Sequence, residues 1–337
     1  MSDICTEPAI PERRSVWHPL RHLARLAVVL VVGMVPGCRS VEPNQRLTIV
    51  TTVGMVTDIV RQVVGDNADV IGLIGEGTDP HTHALTRNDV KQLNSADIVF
   101  YVGLQLEGKM DGQLKRLAER GRSMFAVTDG IDKGELRQDS QFGSHPDPHV
   151  WMDVSIWNRC VQFVAATMAA QDPPNADQYH ANAQTLHTQL ESLHDYVTDV
   201  IASVPQSQRV LVTAHDAFGY FSRAYNIEVR SIQGISTDSQ AGINDINRLV
   251  DFVVQRKISA IFVESSVPRR HVEAVIDGAK DKNWQVRIGG ELYSDAMGQP
   301  DQYQGTYIGM IDHNATTIAR ALGGKAPQTG HVGRLKP

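Results

Sequence analysis

The sequence predicts an α/β fold in which two parallel-sheet lobes are joined by a single long helix and face each other across a cleft. Three observations carry this prediction. Short apolar runs alternate with helical segments up to residue 174, one long amphipathic stretch follows, and the alternation then resumes. Strands that alternate with helices are typical of parallel α/β units. The chain has 337 residues, 42% of them hydrophobic, which is enough for two such lobes.

The N-terminal lobe is predicted to span residues 47–174. Four short apolar runs have the length and composition of buried strands. Helical segments lie between them, and one begins with Thr86 and Asp89, which approximate an N-terminal capping box. The predicted strands are 47–53, 69–75, 97–103 and 124–130, and the predicted helices are 55–65 and 86–96.

A single linking helix is predicted over residues 175–204. Its apolar side chains recur at steps of three and four, which places them on one helical face. Prolines precede and follow the segment, as suits the two ends of a helix. At a rise of about 1.5 Å per residue the helix approaches about 40 Å, so we expect a rigid connection between two lobes. The repeated apolar positions are Leu186, Leu190, Leu193, Val197, Val200 and Val204.

The C-terminal lobe is predicted to span residues 205–337 and repeats the alternation of the first lobe. A strand over 209–215 ends at a histidine, and a terminal helix over 306–324 ends in two glycines. The segments between them are predicted as a helix over 243–257, a strand over 258–265, a helix over 267–280 and a strand that begins near Trp284.

The N-terminus has the features of an export signal. Arginines precede an apolar run at residues 26–35, which is too short to cross about 30 Å of hydrocarbon as a helix. The run ends in Val-Pro-Gly-Cys, which resembles a bacterial lipobox with Cys38 as the lipidated residue; an ordinary signal peptide cut nearby is the alternative. We predict a lipoprotein signal peptide over 1–38, a tether over 39–46 and a membrane-anchored protein on the extracytoplasmic side.

The cysteine positions and the net charge restrict which disulfides and which partners the chain is expected to have. Of the three cysteines, Cys5 leaves with the signal and Cys38 is the candidate anchor, so only Cys160 stays in the folded body and no internal disulfide is expected. We expect Cys160 to be a small buried hydrophobic residue. The net charge of −6 and the lack of a Lys/Arg-rich patch argue against a nucleic-acid partner.

Four polar residues are candidates for one metal site. Ligands of open parallel sheets bind outside the carboxyl ends of strands, and three of the candidates follow predicted strands. Two histidines occur in repeated Asp-Pro-His turns, where the proline fixes the turn and the aspartate can accept hydrogen bonds from nearby backbone or from the imidazole. Three imidazoles and one carboxylate that meet at the cleft would form a site for a divalent transition metal. The candidates are His81, His149, His215 and Asp295.

Other histidines and one glutamate also have side chains that could bind a metal ion. His83 and His145 are near neighbours of the candidates, and Glu264 is a spare carboxylate that we place near the cleft but outside the ligand set. On the linking helix, successive histidines rise by about 10.5 Å, so they cannot share one ion. We expect surface positions for His180, His187 and His194, structural roles for His271 and His313, and an irregular C-terminal tail around His331.

The mature chain resembles the metal-specific solute-binding proteins of ABC importers, the TroA/ZnuA-like group for manganese, zinc and iron. The matching stretches follow the family order and include GTDPHTHALTRNDV, DPHVWMDV, VLVTAHDAFGYFSRAYNIEV, IQGISTDSQAG, IFVESSVP and ELYSDAMG. By motif, the resemblance implies the same four ligands for one ion between the lobes. Residues 131–148 hold one histidine in place of the long His- and acid-rich loop of many zinc-specific members. The cargo therefore stays open among zinc, manganese and iron.

The resemblance implies a binding protein, not an enzyme, that captures a divalent metal outside the cytoplasm and delivers it to an ABC permease with its ATPase. A zinc-dependent hydrolase using the same histidines, with Asp295 or Glu264 as base, is one alternative, although the chain lacks His-Glu-x-x-His. A surface adhesin lipoprotein with incidental metal is another. We expect metal affinity to fall below about pH 6.5, because each imidazole must lose its proton to bind. We also expect loops around His215 and Asp295 to rearrange without wide hinge closure.

Overall fold

The computed structural model describes residues 46–138, 145–239 and 241–336. The predicted signal peptide with Cys38, and the predicted tether except for Arg46, lie outside the described residues. Within the described ranges, no helix has both the length and the apolar character that crossing a membrane requires.

A parallel four-stranded sheet forms the N-terminal lobe. Its strands are β1 (Leu47–Thr51), β2 (Ala68–Gly72), β3 (Ile98–Tyr101) and β4 (Ser123–Ala126), in the order β2-β1-β3-β4. The helices are α1 (Gly54–Val64), α2 (Arg87–Ser95), α3 (Asp111–Glu119) and α4 (Val154–Gln171). The predicted capping box starts α2: Thr86 Oγ1 accepts from the Asp89 N–H (3.2 Å), and the Asp89 carboxylate accepts from the Thr86 N–H (2.8 Å).

The linking helix α5 spans Ala176–Ala202, close to the predicted range. It packs against α4 and α1 of the N-terminal lobe, so it is not a free-standing connection. Its buried side chains follow the helical period and form one continuous stripe. They are Tyr179, Ala183, Leu186, Leu190, Leu193, Val197, Val200 and Ile201.

The C-terminal lobe contains two pairs of parallel strands. They are β5 (Val210–Thr213) with β6 (Glu228–Ser231), and β7 (Ala260–Glu264) with β8 (Arg287–Leu292). Strands β5 and β7 are in contact, and their carboxyl ends lie close together, because Glu264 at the end of β7 accepts the backbone N–H of His215 after β5. The helices are α6 (Gly219–Tyr225), α7 (Ile243–Gln255), α8 (Arg270–Asp281) and α9 (Tyr307–Ala321), and α9 also packs on α5.

Buried hydrogen bonds join the lobes beside the linking helix. The Tyr307 hydroxyl donates to the Trp151 carbonyl oxygen (2.7 Å), and the Trp151 indole N–H donates to the Ser294 carbonyl oxygen (2.9 Å). The Tyr307 N–H also donates to the Asp58 carboxylate (3.0 Å). These groups are bonded across the lobes, and separating them in the interior would leave them unsatisfied. The lobes are therefore held together by more than one helix.

Several elements differ from the sequence-based assignment. Helices α3, α4 and α6 and strand β6 were not assigned, and β5 ends two residues before His215. The described tail after α9 contains no helix or strand, as expected, but it is held in place: the His331 N–H donates to both Asp312 carboxylate oxygens (2.9 Å each), and its ring lies 4.8 Å from that of Tyr196. The expected burial of Cys160 is confirmed.

Candidate metal centre

The four predicted residues lie together at the carboxyl ends of strands from both lobes. His81 lies in the loop between β2 and α2, and His149 lies just before the short turn that precedes α4. His215 follows β5, and Asp295 follows β8. One side-chain atom from each residue can be chosen so that all four lie within 4.8 Å of one another. The tertiary fold therefore brings donors that are distant in sequence to one point.

The Asp295 carboxylate lies at the centre of the cluster, close to all three imidazoles. Its Oδ1 lies 3.2 Å from His149 Nε2, and its Oδ2 lies 3.1 Å from His215 Nε2 and 3.9 Å from His81 Nε2. The Nε2 atoms of His81 and His149 are 3.3 Å apart. His81 is 3% exposed and the other three residues are 1% exposed or less. The three Nε2 atoms and the Asp295 carboxylate thus share a small, buried space.

His149 is oriented by the aspartate of its own turn. Asp147 Oδ1 lies 2.8 Å from His149 Nδ1 and accepts the His149 backbone N–H at 3.0 Å. The other Asp147 oxygen accepts from Arg137 (2.7 Å). A carboxylate on Nδ1 makes that nitrogen the N–H donor and leaves Nε2 as the free ligand atom.

His215 is oriented by a carboxylate from a different strand. Glu264 ends β7, and its Oε2 lies 2.5 Å from His215 Nδ1, while its Oε1 accepts the His215 backbone N–H at 2.9 Å. Glu264 therefore sits behind the imidazole, on the side away from the other three residues. The sequence marks Glu264 as a spare carboxylate at a strand end, but it lies 49 positions from His215, and the sequence gives no local sign of this pairing.

His81 is held through its turn and not through its ring. Asp79 Oδ1 accepts the His81 backbone N–H (2.9 Å), and no hydrogen bond from another described residue reaches His81 Nδ1. The second Asp79 oxygen accepts from the hydroxyls of Thr82 (3.0 Å) and Thr237 (2.5 Å). The two Asp-Pro-His turns are therefore alike in backbone geometry and different in how they hold the imidazole.

The charges of the metal-free site are concentrated on Asp295 and two imidazoles. Burial raises the pKa of the Asp295 carboxyl, but the facing His215 and His149 outweigh it and hold this pKa well below the usual range. Burial likewise lowers the pKa of His149, and the opposing charge of Asp295 raises it to about 9. The pKa of His215 lies well above the ordinary value because Glu264 and Asp295 outweigh its burial.

His81 shows the opposite behaviour. Burial lowers its pKa to about 4, and the charge of Asp295 offsets only part of that effect. In the metal-free site the Asp295 carboxylate therefore favours the protonated forms of His149 and His215, whereas burial favours the neutral form of His81.

Three buried polar atoms at the centre of the site lie in ion-pair contact with each other or with His149, but they form no hydrogen bond of normal geometry with any described residue. They are His215 Nε2 and both carboxylate oxygens of Asp295. A buried group without a hydrogen-bond partner costs free energy, so such atoms point to a ligand or ion. These three atoms face the space that the four side chains share.

Other histidines lie outside this cluster. The His83 ring is half-buried and its Nε2 lies 3.6 Å from Asp89, while His145 is exposed. On α5, His180 is exposed, and His187 and His194 are half-buried. His313 Nε2 lies 2.9 Å from a backbone carbonyl oxygen of β8.

Comparison with known proteins gives a consistent set of relatives. The family model described as "Zinc-uptake complex component A periplasmic", ZnuA, matches residues 49–321. The manganese-binding lipoprotein MntA of Bacillus subtilis is 40% identical over 300 residues, which cover 88% of this chain and 97% of MntA. The zinc-binding protein TroA of Treponema pallidum is 40% identical over 304 residues, with 88% and 97% covered.

Solved structures are similar in fold as well. The periplasmic zinc-binding protein TroA superimposes with a TM-score of 0.80 at 41% identity, over 82% of this chain and 99% of TroA. The Fe(III)-bound YtgA of Chlamydia trachomatis gives a TM-score of 0.75 at 25% identity, over 83% of this chain and 99% of YtgA.

Proposed function

The chain belongs to the ZnuA family of periplasmic zinc-uptake components, and from this premise we propose that it captures one divalent transition-metal ion outside the cytoplasm and delivers it to an ABC importer. The observation that carries the proposal is the orphaned donor set: His215 Nε2 and both Asp295 oxygens are buried, face the imidazoles of His81 and His149, and have no hydrogen-bond partner among the described residues.

We propose His81, His149, His215 and Asp295 as the ligands. Imidazole nitrogen with one carboxylate suits zinc, manganese or iron, whereas calcium and magnesium prefer oxygen ligands alone. Both Asp295 oxygens point at imidazoles, so a bidentate carboxylate would give the ion five protein donors. Affinity for such sites rises from manganese toward copper, so the donor types leave the physiological cargo among zinc, manganese and iron.

The closed donor set favours capture over catalysis. A catalytic zinc keeps a coordination position open for water, whereas the proposed set would surround the ion with protein donors. The hydrolase alternative also needs a free carboxylate base. Glu264 is engaged by the ring and the backbone N–H of His215, and the Asp295 oxygens face the imidazoles. These contacts support a binding protein, not an enzyme.

The location and partners follow from the same proposal. MntA is named a lipoprotein, and the predicted lipobox at Cys38 agrees with an anchor of that kind. We propose that the mature protein is tethered by lipid on the extracytoplasmic side, where it meets the permease, with the ATPase on the opposite face of the membrane.

A titration tests the ligand set directly. We expect the protein to bind Zn²⁺ and Mn²⁺ with one ion per chain in competition with a chelator of known affinity. His149→Ala should weaken binding strongly, whereas His180→Ala, which alters an exposed histidine of the linking helix, should bind like the wild type. Equal affinities of these two variants would refute the site.

Growth of a deletion strain in chelated medium tests delivery. Complementation by the wild type and failure of His149→Ala to complement are expected for metal import. Normal growth of the deletion strain in that medium would favour the adhesin alternative.

A further inference from the structure

A loop of the C-terminal lobe contacts the turn that carries His81. This loop covers residues 232–239 and follows β6, and we call it the β6 loop. Its Thr237 hydroxyl donates to Asp79 Oδ2 at 2.5 Å, across 158 positions of sequence. Thr237 and Asp79 are both half-buried. The contact therefore links the two lobes at the edge of the metal centre.

The same loop is tied to the backbone around His215. The N–H groups of Ile232 and Gln233 donate to the carbonyl oxygens of Thr213 (3.2 Å) and Ala214 (3.0 Å). The Asp216 N–H donates to the Gly234 carbonyl oxygen (3.3 Å). The β6 loop thus holds the segment on both sides of His215, and at its far end it holds the turn of His81.

His81 is the ligand candidate that depends most on such a contact. The rings of His149 and His215 are fixed by Asp147 and Glu264 on their Nδ1 atoms. The ring of His81 has no such carboxylate among the described residues, and it is the most exposed of the four. Its position is set by Asp79, which holds its backbone N–H.

We propose that Thr237 is a positioning residue for metal retention. Through Asp79, its hydroxyl holds the His81 turn against the loop that carries His215, so that His81 stays in place as the fourth donor. The role rests on the proposed function, because it presumes that these residues hold a metal ion. A nearby ion pair, Lys109 with Asp238 at 3.2 Å, spans the same two regions but is largely exposed and therefore contributes little.

The test compares three variants loaded with Zn²⁺ and chased with an excess of chelator. Thr237→Val removes the hydroxyl at similar size, Thr237→Ser keeps it, and Lys109→Gln removes the exposed ion pair. A hydrogen bond to a charged group carries about a tenfold factor or more. We expect Thr237→Val to release Zn²⁺ about tenfold faster with an unchanged association rate, and Thr237→Ser and Lys109→Gln to release it like the wild type.

The outcomes separate this role from a structural one. Release from Thr237→Val at the wild-type rate would overturn it, as would equal acceleration in Thr237→Ser or in Lys109→Gln. Thermal unfolding of the metal-free variants monitors folding, and Thr237→Ser tests the hydroxyl even if valine disturbs the loop. If the wild type itself binds no Zn²⁺ at one ion per chain, the proposed function fails; if it binds and Thr237→Val behaves normally, only the role of Thr237 fails.

Discussion

Each lobe contributes two of the four proposed ligands, and the two lobes position these side chains by different means. In the N-terminal lobe, His81 and His149 are each preceded, two residues earlier, by an aspartate that accepts the backbone N–H of the histidine. In the C-terminal lobe His215 depends on Glu264 from another strand, and both oxygens of Asp295 have no hydrogen-bond partner among the described residues. One half of the site is built by local turns and the other half by tertiary packing. The local half is readable in the sequence, and the packed half contains the carboxylate of the proposed ligand set, Asp295.

The largest expected effect is the loss of the charge at Asp295. Asp295→Asn preserves shape but leaves the cation without its only anionic partner in the proposed ligand set. Removing one partner of a buried charge pair costs about 3–5 kcal/mol, so Zn²⁺ affinity should fall on the order of 1000-fold. Competition titration measures it, and Asp301→Asn, at an exposed position near by, is the matched control. A loss of less than about tenfold would show that the carboxylate is not a ligand.

The second-largest expected effect is the pH dependence of metal affinity. It should extend to higher pH than histidines of ordinary pKa would give. As proposed ligands, His149 and His215 must lose their protons before metal binds. Opposing carboxylates raise the pKa of His149 to about 9 and that of His215 well above its usual value. Affinity should therefore increase with pH through the neutral range and fall as pH decreases, by up to about 100-fold per pH unit while two protons are displaced.

Chelator competition at several pH values from mildly acidic to mildly basic checks this dependence. Proton release on binding, measured in buffers of different ionisation enthalpy, is an independent readout. With unperturbed imidazoles of pKa about 6.5 the affinity would be nearly constant above neutrality. A flat profile there would show that the carboxylates do not hold protons on these imidazoles.

A smaller effect separates the two Asp-Pro-His turns. Asp147 contacts the imidazole of its histidine, whereas Asp79 contacts only the backbone of His81 and two threonine hydroxyls. Loss of a carboxylate that orients a metal-binding histidine typically costs about 10–100-fold in affinity. We expect Asp147→Asn to fall in that range and Asp79→Asn to lose less. The reverse order in equilibrium titrations with Zn²⁺ would contradict the assignment of different roles to the two turns.

The smallest expected effect is on overall shape. The linking helix packs on both lobes, and buried hydrogen bonds join Trp151 to Ser294 and Tyr307. We expect metal-free and metal-loaded protein to give superimposable solution scattering profiles, with changes confined to loops near the site. A clear decrease in the radius of gyration on loading would indicate hinge closure of the lobes.

Much of the fold is readable from spacing alone. The linking helix and the α2 capping box lie close to where the sequence predicts them, because apolar period and capping are local properties. Helix α4 was equally accessible, since Trp157, Val161, Val164 and Met168 repeat at helical steps and are all buried. The short elements α6 and β6 have too few residues to establish a period.

The candidate ligands are a different case. Spacing marks His81 and His149 as a repeated turn, and positions at predicted strand ends add His215 and Asp295 as candidates. Asp295 alone reads as an ordinary turn residue, and the family resemblance implies the same four ligands. The fold brings the four together, and their role as ligands stays a prediction until metal is titrated.

The sequence by itself determined the alternation of strands and helices, the single long helix, the two Asp-Pro-His turns and the family. Only the tertiary structure decided that Glu264 stands behind His215, that Thr237 reaches Asp79, and that carboxylates raise the pKa of the His149 and His215 imidazoles. The physical reason is the distance along the chain over which each interaction acts. Helical period and turn chemistry depend on neighbours in the sequence. Hydrogen bonds between distant loops and the pKa of a buried group depend on which segments pack together and on the removal of water around them.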